Sequence, residues 1–197
     1  MPDVVAHTDT GQKLEIYAEV RHACAVNSAS MVPFVGAEAF SQRMSSLRAL
    51  AVDPYFVVRR AVAANVLDLC RQLHPFSGVI HPLLNQLLID PCADVTFALV
   101  PQIGAVIEHL ARLSSTHHSP FVSEAIVLET WEAVLRCEEQ VMNGSSWRIQ
   151  ADMLSQLAAF PLCLPCHSVH DLLIPRLWHR IDTLVRFDFF WQPKFID

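Results

Sequence analysis

The chain has 197 residues, 52% of them hydrophobic and 17% charged. That excludes an intrinsically disordered chain and fits one ordinary domain or a short array of repeats. The net charge is −6 and only two of the fourteen basic residues are lysines, Lys13 and Lys194, which excludes the positive field that holds a nucleic acid.

Mean hydropathy is +0.31, yet no uninterrupted apolar run approaches the roughly 18 residues of a membrane span. Neither a nucleic-acid nor a membrane partner is therefore expected. The apolar excess reads as buried helix faces or as a surface that a partner covers. The opening MPDVVAHTDTGQK lacks the basic start and apolar core of a secretory signal. Cysteines stand at Cys24, Cys70, Cys92, Cys137, Cys163 and Cys166, four of them inside apolar-periodic segments. Reduced thiols act there as small hydrophobes, which suits a cytoplasmic chain, the nucleus being a second expected location.

Residues 1–11 read as a loose lead-in. A helix is expected over 12–31, with Pro33 and Gly36 punctuating after it. Ala37, Phe40, Met44, Leu47, Leu50 and Ala51 recur at intervals of three and four, so a second helix is expected over 37–52. Asp53-Pro54 stops it, because the residue before a proline leaves the helical region. The stripe Val58, Val62, Val66, Leu69 and Leu73 predicts a helix over 56–73. Another is expected over 79–89, and Asp90-Pro91 repeats the earlier stop. Residues 93–113 follow with a kink at Pro101, then a polar loop over 114–120. A long helix over 121–142 ends near Asn143-Gly144, and Ser145 or Ser146 is placed to cap the next, 147–160. A last helix is expected over 168–184, before an aromatic tail, 185–197, left unassigned. No strand-type alternation competes, so the fold class is all-α, built from helix pairs.

A corner recurs within this series. Val58-Arg59, Val95-Thr96 and Ile149-Gln150 align, with offsets of 37 and 54 residues. Asp53 stands six residues before Arg59, and Asp90 six before Thr96; Pro82 stands eight before Asp90. An offset near 40 is the length of one helical-repeat unit. A helix pair can bury its apolar face only by stacking on another pair, so each turn must have the same geometry.

The pattern of a proline in the first helix, an Asp in the turn and a Val-Arg pair opening the second helix resembles the HEAT repeat. "SWRIQADMLSQLAAF", after Asn143-Gly144, is similar to the corners of the scaffold (A) subunit of protein phosphatase 2A and of HEAT-type phosphatase 4 regulatory subunits. The resemblance implies a short, armadillo-like α-solenoid over 12–184, with units at about 37–75, 77–113 and 121–160 and a partial one at 168–184. Such scaffolds are far longer, so the chain reads as a fragment, a partial gene product or a shortened isoform. The resemblance also implies an Asp–Arg ladder between repeats, here retained only at Asp53 and Arg59, since Thr96 and Gln150 replace Arg and Gly144 replaces Asp. The implied role is non-catalytic: a scaffold or regulatory subunit holding a serine/threonine phosphatase catalytic subunit. The alternative is an adaptor for another assembly, of transport or cytoskeletal type. The residues implied at the binding turns are Asp53, Tyr55, Arg59, Asp90, Asp94, Trp147 and Arg148.

Other constellations weigh less. Cys163-Leu164-Pro165-Cys166-His167 has the spacing of covalent haem attachment, a reaction foreign to the cytosol. Zinc would need two more ligands, for which His117, His118 and His170 are candidates, but no second C-x-x-C exists. Glu129, Glu132, Glu138 and Glu139 read as the solvated face of the long helix. No catalytic group, metal, cofactor or small-molecule substrate is expected. Trp147 either anchors a partner or packs on the next turn. Phe187, Phe189, Phe190 and Trp191 either cover the last repeat or dock elsewhere.

Overall fold

The computed structural model describes residues 17–115, 123–144 and 146–190, and among these residues no strand occurs: the fold is all-α. The helices are α1 (17–26), α2 (Ser28–Val35), α3 (Ala37–Ser41), α4 (Met44–Ala51), α5 (Phe56–Ala64) and α6 (Val66–Gln72). They continue as α7 (His81–Leu88), α8 (Ala93–Leu99), α9 (Ile103–Ser115), α10 (Glu124–Gly144), α11 (Trp147–Leu157), α12 (Cys166–Ser168) and α13 (Ile174–Phe190). Short 3-10 turns at Ser77–Ile80, Val100–Gln102 and Phe160–Leu162 and a π turn at Val169–Leu173 join some of them.

Both Asp-Pro stops fall where expected. Pro33 does not stop a helix; it lies inside α2, and the chain turns at Gly36, whose φ of 89° suits a residue without a side chain. The expected helices over 37–52 and 56–73 are each broken, at 42–43 and at Asn65. The long helix runs through Asn143 to Gly144, and Ser146 occupies the N-cap position of α11 without a side-chain cap bond. The last helix begins at Cys166 and, through the π turn, continues to Phe190. Residues 1–16, most of the 114–120 loop with His117 and His118, Ser145 and the end of the tail, with Trp191, lie outside the described residues.

Packing follows chain order in two rows. In one, α4 packs on α7 and α7 on α10. In the other, α2 packs on α6, α5 on α8, α6 on α9 and α9 on α11, while α4–α5, α7–α8 and α10–α11 are the pairs linked by the corners. The stripes read from the sequence are the faces turned inward: Leu47, Val58, Val62, Val66, Leu69 and Leu73 are all buried, as are Leu84, Leu87, Leu99, Ile103 and Ile107. Near the far end the Trp131 and Phe160 rings meet at a tilt of 50° with centroids 4.4 Å apart, joining α10 to the segment after α11.

The breaks in the second row are chemically alike. A kinked helix leaves a carbonyl of the preceding turn without its N–H partner. At each break an amide side chain donates to the carbonyl four residues back: Asn27 Nδ2 to Ala23 O (2.8 Å), where the Asn27 main-chain N–H also reaches the same oxygen at 3.1 Å, Asn65 Nδ2 to Ala61 O (3.0 Å) and Gln102 Nε2 to Ala98 O (2.8 Å). Two of these amides also cross to the preceding helix. Asn65 also donates to Ala25 O and Val26 O, and Gln102 to Ala63 O. Gln102 Oε1 accepts the Leu67 N–H, and Gln156 Oε1, one unit later, accepts that of Gly104. Asn27, Asn65, Gln102 and Gln156 thus hold one position of a repeat whose register matches the aligned corners.

Candidate protein-binding corner

The corners after α4 and α7 are built alike around their carboxylates. Asp53 and Asp90 each lie just before a proline, and each carboxylate turns back to accept the N–H two residues on: Tyr55 N (2.9 Å) and Cys92 N (2.8 Å). Each also accepts a forked guanidinium from the preceding unit. Arg21 places Nε and Nη2 at 2.5 and 3.3 Å from the Asp53 oxygens; Arg59 places the same atoms at 2.7 and 3.0 Å from those of Asp90. The two rungs span 32 and 31 residues.

This corrects the expected rung between Asp53 and Arg59. Arg59 meets Asp53 only through the main chain, Nη1 donating to the Asp53 carbonyl at 2.8 Å, while its fork reaches forward to Asp90. The first rung depends on Arg21, which the corner motif did not reveal. Its signal was R-x-A-x-x-x-N, present at both 21–27 and 59–65. Burial alone would raise the Asp53 pKa, but hydrogen bonds from Arg21 and the Tyr55 amide, with the charges of Arg21 and Arg59, outweigh it and hold the carboxyl below its usual 3.8.

The seven residues implied at the binding turns divide by exposure. Asp53 and Asp90 are buried and Arg59 nearly so; they hold the corners together. Tyr55 and Asp94 are exposed, with Arg21 lying over the Tyr55 ring. Trp147 is 70% exposed, so it does not pack on the next turn, and the Arg148 guanidinium sits 5.3 Å from its ring centroid. Two further residues join this surface, Val52 and Ile89, each exposed and each immediately before the corner Asp. Tyr55, Val52, Ile89 and Trp147 thus place exposed apolar groups at all three corners.

Between the second and third corners lies an open cavity of about 250 Å³, lined by Asp90, Pro91, Ala93, Thr96 and Phe97 on one side and Gln140, Val141 and Gly144 on the other. It stands where the missing rung would run. Gln150, next in the series Arg21, Arg59, Thr96, instead donates from Nε2 to Met142 O at 3.0 Å.

Elsewhere, Glu138 is not on a solvated face. It is fully buried, with Arg176 Nε on one carboxylate oxygen and Arg180 Nε on the other, at 2.5 and 2.7 Å. Arg176 also donates to Leu135 O, so the cluster fastens α13 to α10. Glu129, by contrast, is exposed and lies 3.2 Å from His81 Nε2. The structure brings Ser77 Oγ within 3.1 Å of His109 Nε2, but Ser77 is wholly buried and its one proton goes to Cys70 O, which leaves no free nucleophile. All six cysteines are free thiols. Burial pushes Cys70 and Cys137 to a pKa of about 12, and Cys163 is also raised. Among the described residues no group of three or more His, Cys, Asp or Glu is placed to hold a metal ion, and no helix is long and apolar enough to cross a membrane.

Compared with family models, with curated proteins and with solved structures, the chain matches none.

Proposed function

We propose that this chain is a HEAT-type α-solenoid segment that acts, without catalysis of its own, as a scaffold for a serine/threonine protein phosphatase catalytic subunit of the 2A/4 type. The observation that supports the reading is the register of the two rungs, Arg21–Asp53 and Arg59–Asp90, one unit apart and identical in construction. A stack tied in this way holds its corners at fixed spacing. The exposed groups at those corners, Val52, Tyr55, Ile89 and Trp147, then present several contacts to one partner at once. The phosphatase assignment rests on the likeness of the Trp147-Arg148 corner to that family's turns. A cytoplasmic location belongs to the same reading.

The test is capture from cytosol with the tagged, folded chain, followed by blotting for phosphatase 2A and 4 catalytic subunits. The reading expects one of them to be retained and to be lost with Trp147→Ala. Retention of neither, or retention indifferent to Trp147, Tyr55 and Ile89, would overturn it.

A further inference from the structure

The corner at Asp53 seats two guanidinium groups. Arg21 forks onto the carboxylate, and Arg59, from the second helix of the same pair, donates to the main-chain carbonyl on its way to the next corner. The corner at Asp90 seats one, because the residue equivalent to Arg59 is Thr96. Thr96 is buried and too short to cross, and the space it leaves is the 250 Å³ cavity running from Asp90 and Pro91 to Gly144. The path from Asp90 to Gly144 repeats the path that Arg59 takes from Asp53 to Asp90.

The far wall adds a second reason for a cation. Val141 and Gly144 lie in the last turn of α10, with Gln140 just before it; the C-terminal carbonyls of this 21-residue helix carry the negative end of its dipole, and Gln150 Nε2 donates to that of Met142. No basic residue stands in that turn. Asp90 still has acceptor capacity, since a carboxylate offers about four lone-pair sites and three donors reach it here: Arg59 Nε, Arg59 Nη2 and Cys92 N. A planar guanidinium with several donors suits such scattered oxygens better than an ammonium. We propose that this pocket takes the side chain of an arginine presented by a partner polypeptide, which supplies the guanidinium that Thr96 does not and meets the carbonyl end of α10 where Gly144 stands in place of a corner Asp.

The inference rests on the reading of the corners as the partner-facing side, and the test separates the two. The intact chain, isotopically labelled, is titrated with N-acetyl-arginine N-methylamide while its backbone amides are followed by NMR. Saturable shifts are expected at Thr96, Phe97 and Gly144, with binding about tenfold weaker for the uncharged citrulline analogue, the loss of one charge-assisted contact. Gln140→Lys, an exposed change on the pocket wall, is expected to weaken binding about tenfold by placing a cation there. Thr96→Arg should abolish it by filling the seat. Shifts that do not saturate, that fall elsewhere or that are equal for citrulline would overturn the pocket. Saturable probe binding together with phosphatase capture indifferent to the corner residues would sustain the pocket and sink the partner reading. Corner-dependent capture without probe binding would do the reverse.

Discussion

Asp90 is held by three donors and is almost wholly buried, so removing its carboxylate leaves the Arg59 guanidinium nearly out of water without its counter-ion. Breaking one side of a buried pair costs about 3 kcal/mol, and Asp90→Ala should lower the unfolding free energy by about that much in urea titrations. Asp53 makes the acid side of stability legible. Its folded pKa is depressed, so its contribution is fully present above the unfolded value near 3.8 and is lost as pH falls through the lower folded one. His81 and His109, both pulled below 6.5, His109 by burial reinforced by nearby cations and His81 by burial against the opposing pull of Glu129, bind protons more weakly folded than unfolded and cost stability as pH falls below about that value. Urea midpoints followed from pH 7 to pH 3 should therefore fall in two stages, and Asp53→Asn should flatten the lower one while leaving the upper. Glu138 shows why one residue's role escapes local reading: its partners, Arg176 and Arg180, lie 38 and 42 residues away, beyond the reach of helical periodicity.

At the scale of elements, the apolar stripes recovered the all-α class and most helix spans, because burying a face at 3.6-residue spacing is a local requirement. The kink at Pro101 was legible because a missing N–H acts alone. Those at Asn27 and Asn65 were not, since at Asn65 the amide side chain does the same only because a carbonyl of its own helix and one of a neighbour lie within reach. Close packing of α9 on α11 likewise has no local signature. A Cβ on Gly104 would stand 3.0 Å from both the main-chain and the side-chain oxygen of Gln156. Gly104→Val should therefore destabilise the chain by about 1–3 kcal/mol despite its better helix propensity, as overpacked sites do. Thermal unfolding of the variant beside wild type measures this directly.

Across the whole molecule, the corner motif gave the repeat length but not its pairing. Asp53 and Arg59 stand six residues apart in one motif, and the motif invites a bond between them; the fold spends the Arg59 fork on the next unit instead. That choice makes the units interdependent and frees the outer surface of the corners for contact. Trp147, largely in water, should reflect this division: Trp147→Ala is expected to change stability by no more than about 0.5 kcal/mol while weakening partner capture at least about tenfold, comparing urea midpoints with retained partner. Above all, the rungs join neighbouring units. Double-mutant cycles test it, with Arg59→Ala combined in turn with Asp90→Ala and Asp53→Ala and unfolding free energies measured for each. Coupling above about 1 kcal/mol is expected for Arg59 with Asp90 and a clearly smaller value for Arg59 with Asp53; equal couplings, or the larger one with Asp53, would mean that the fork does not tie one unit to the next.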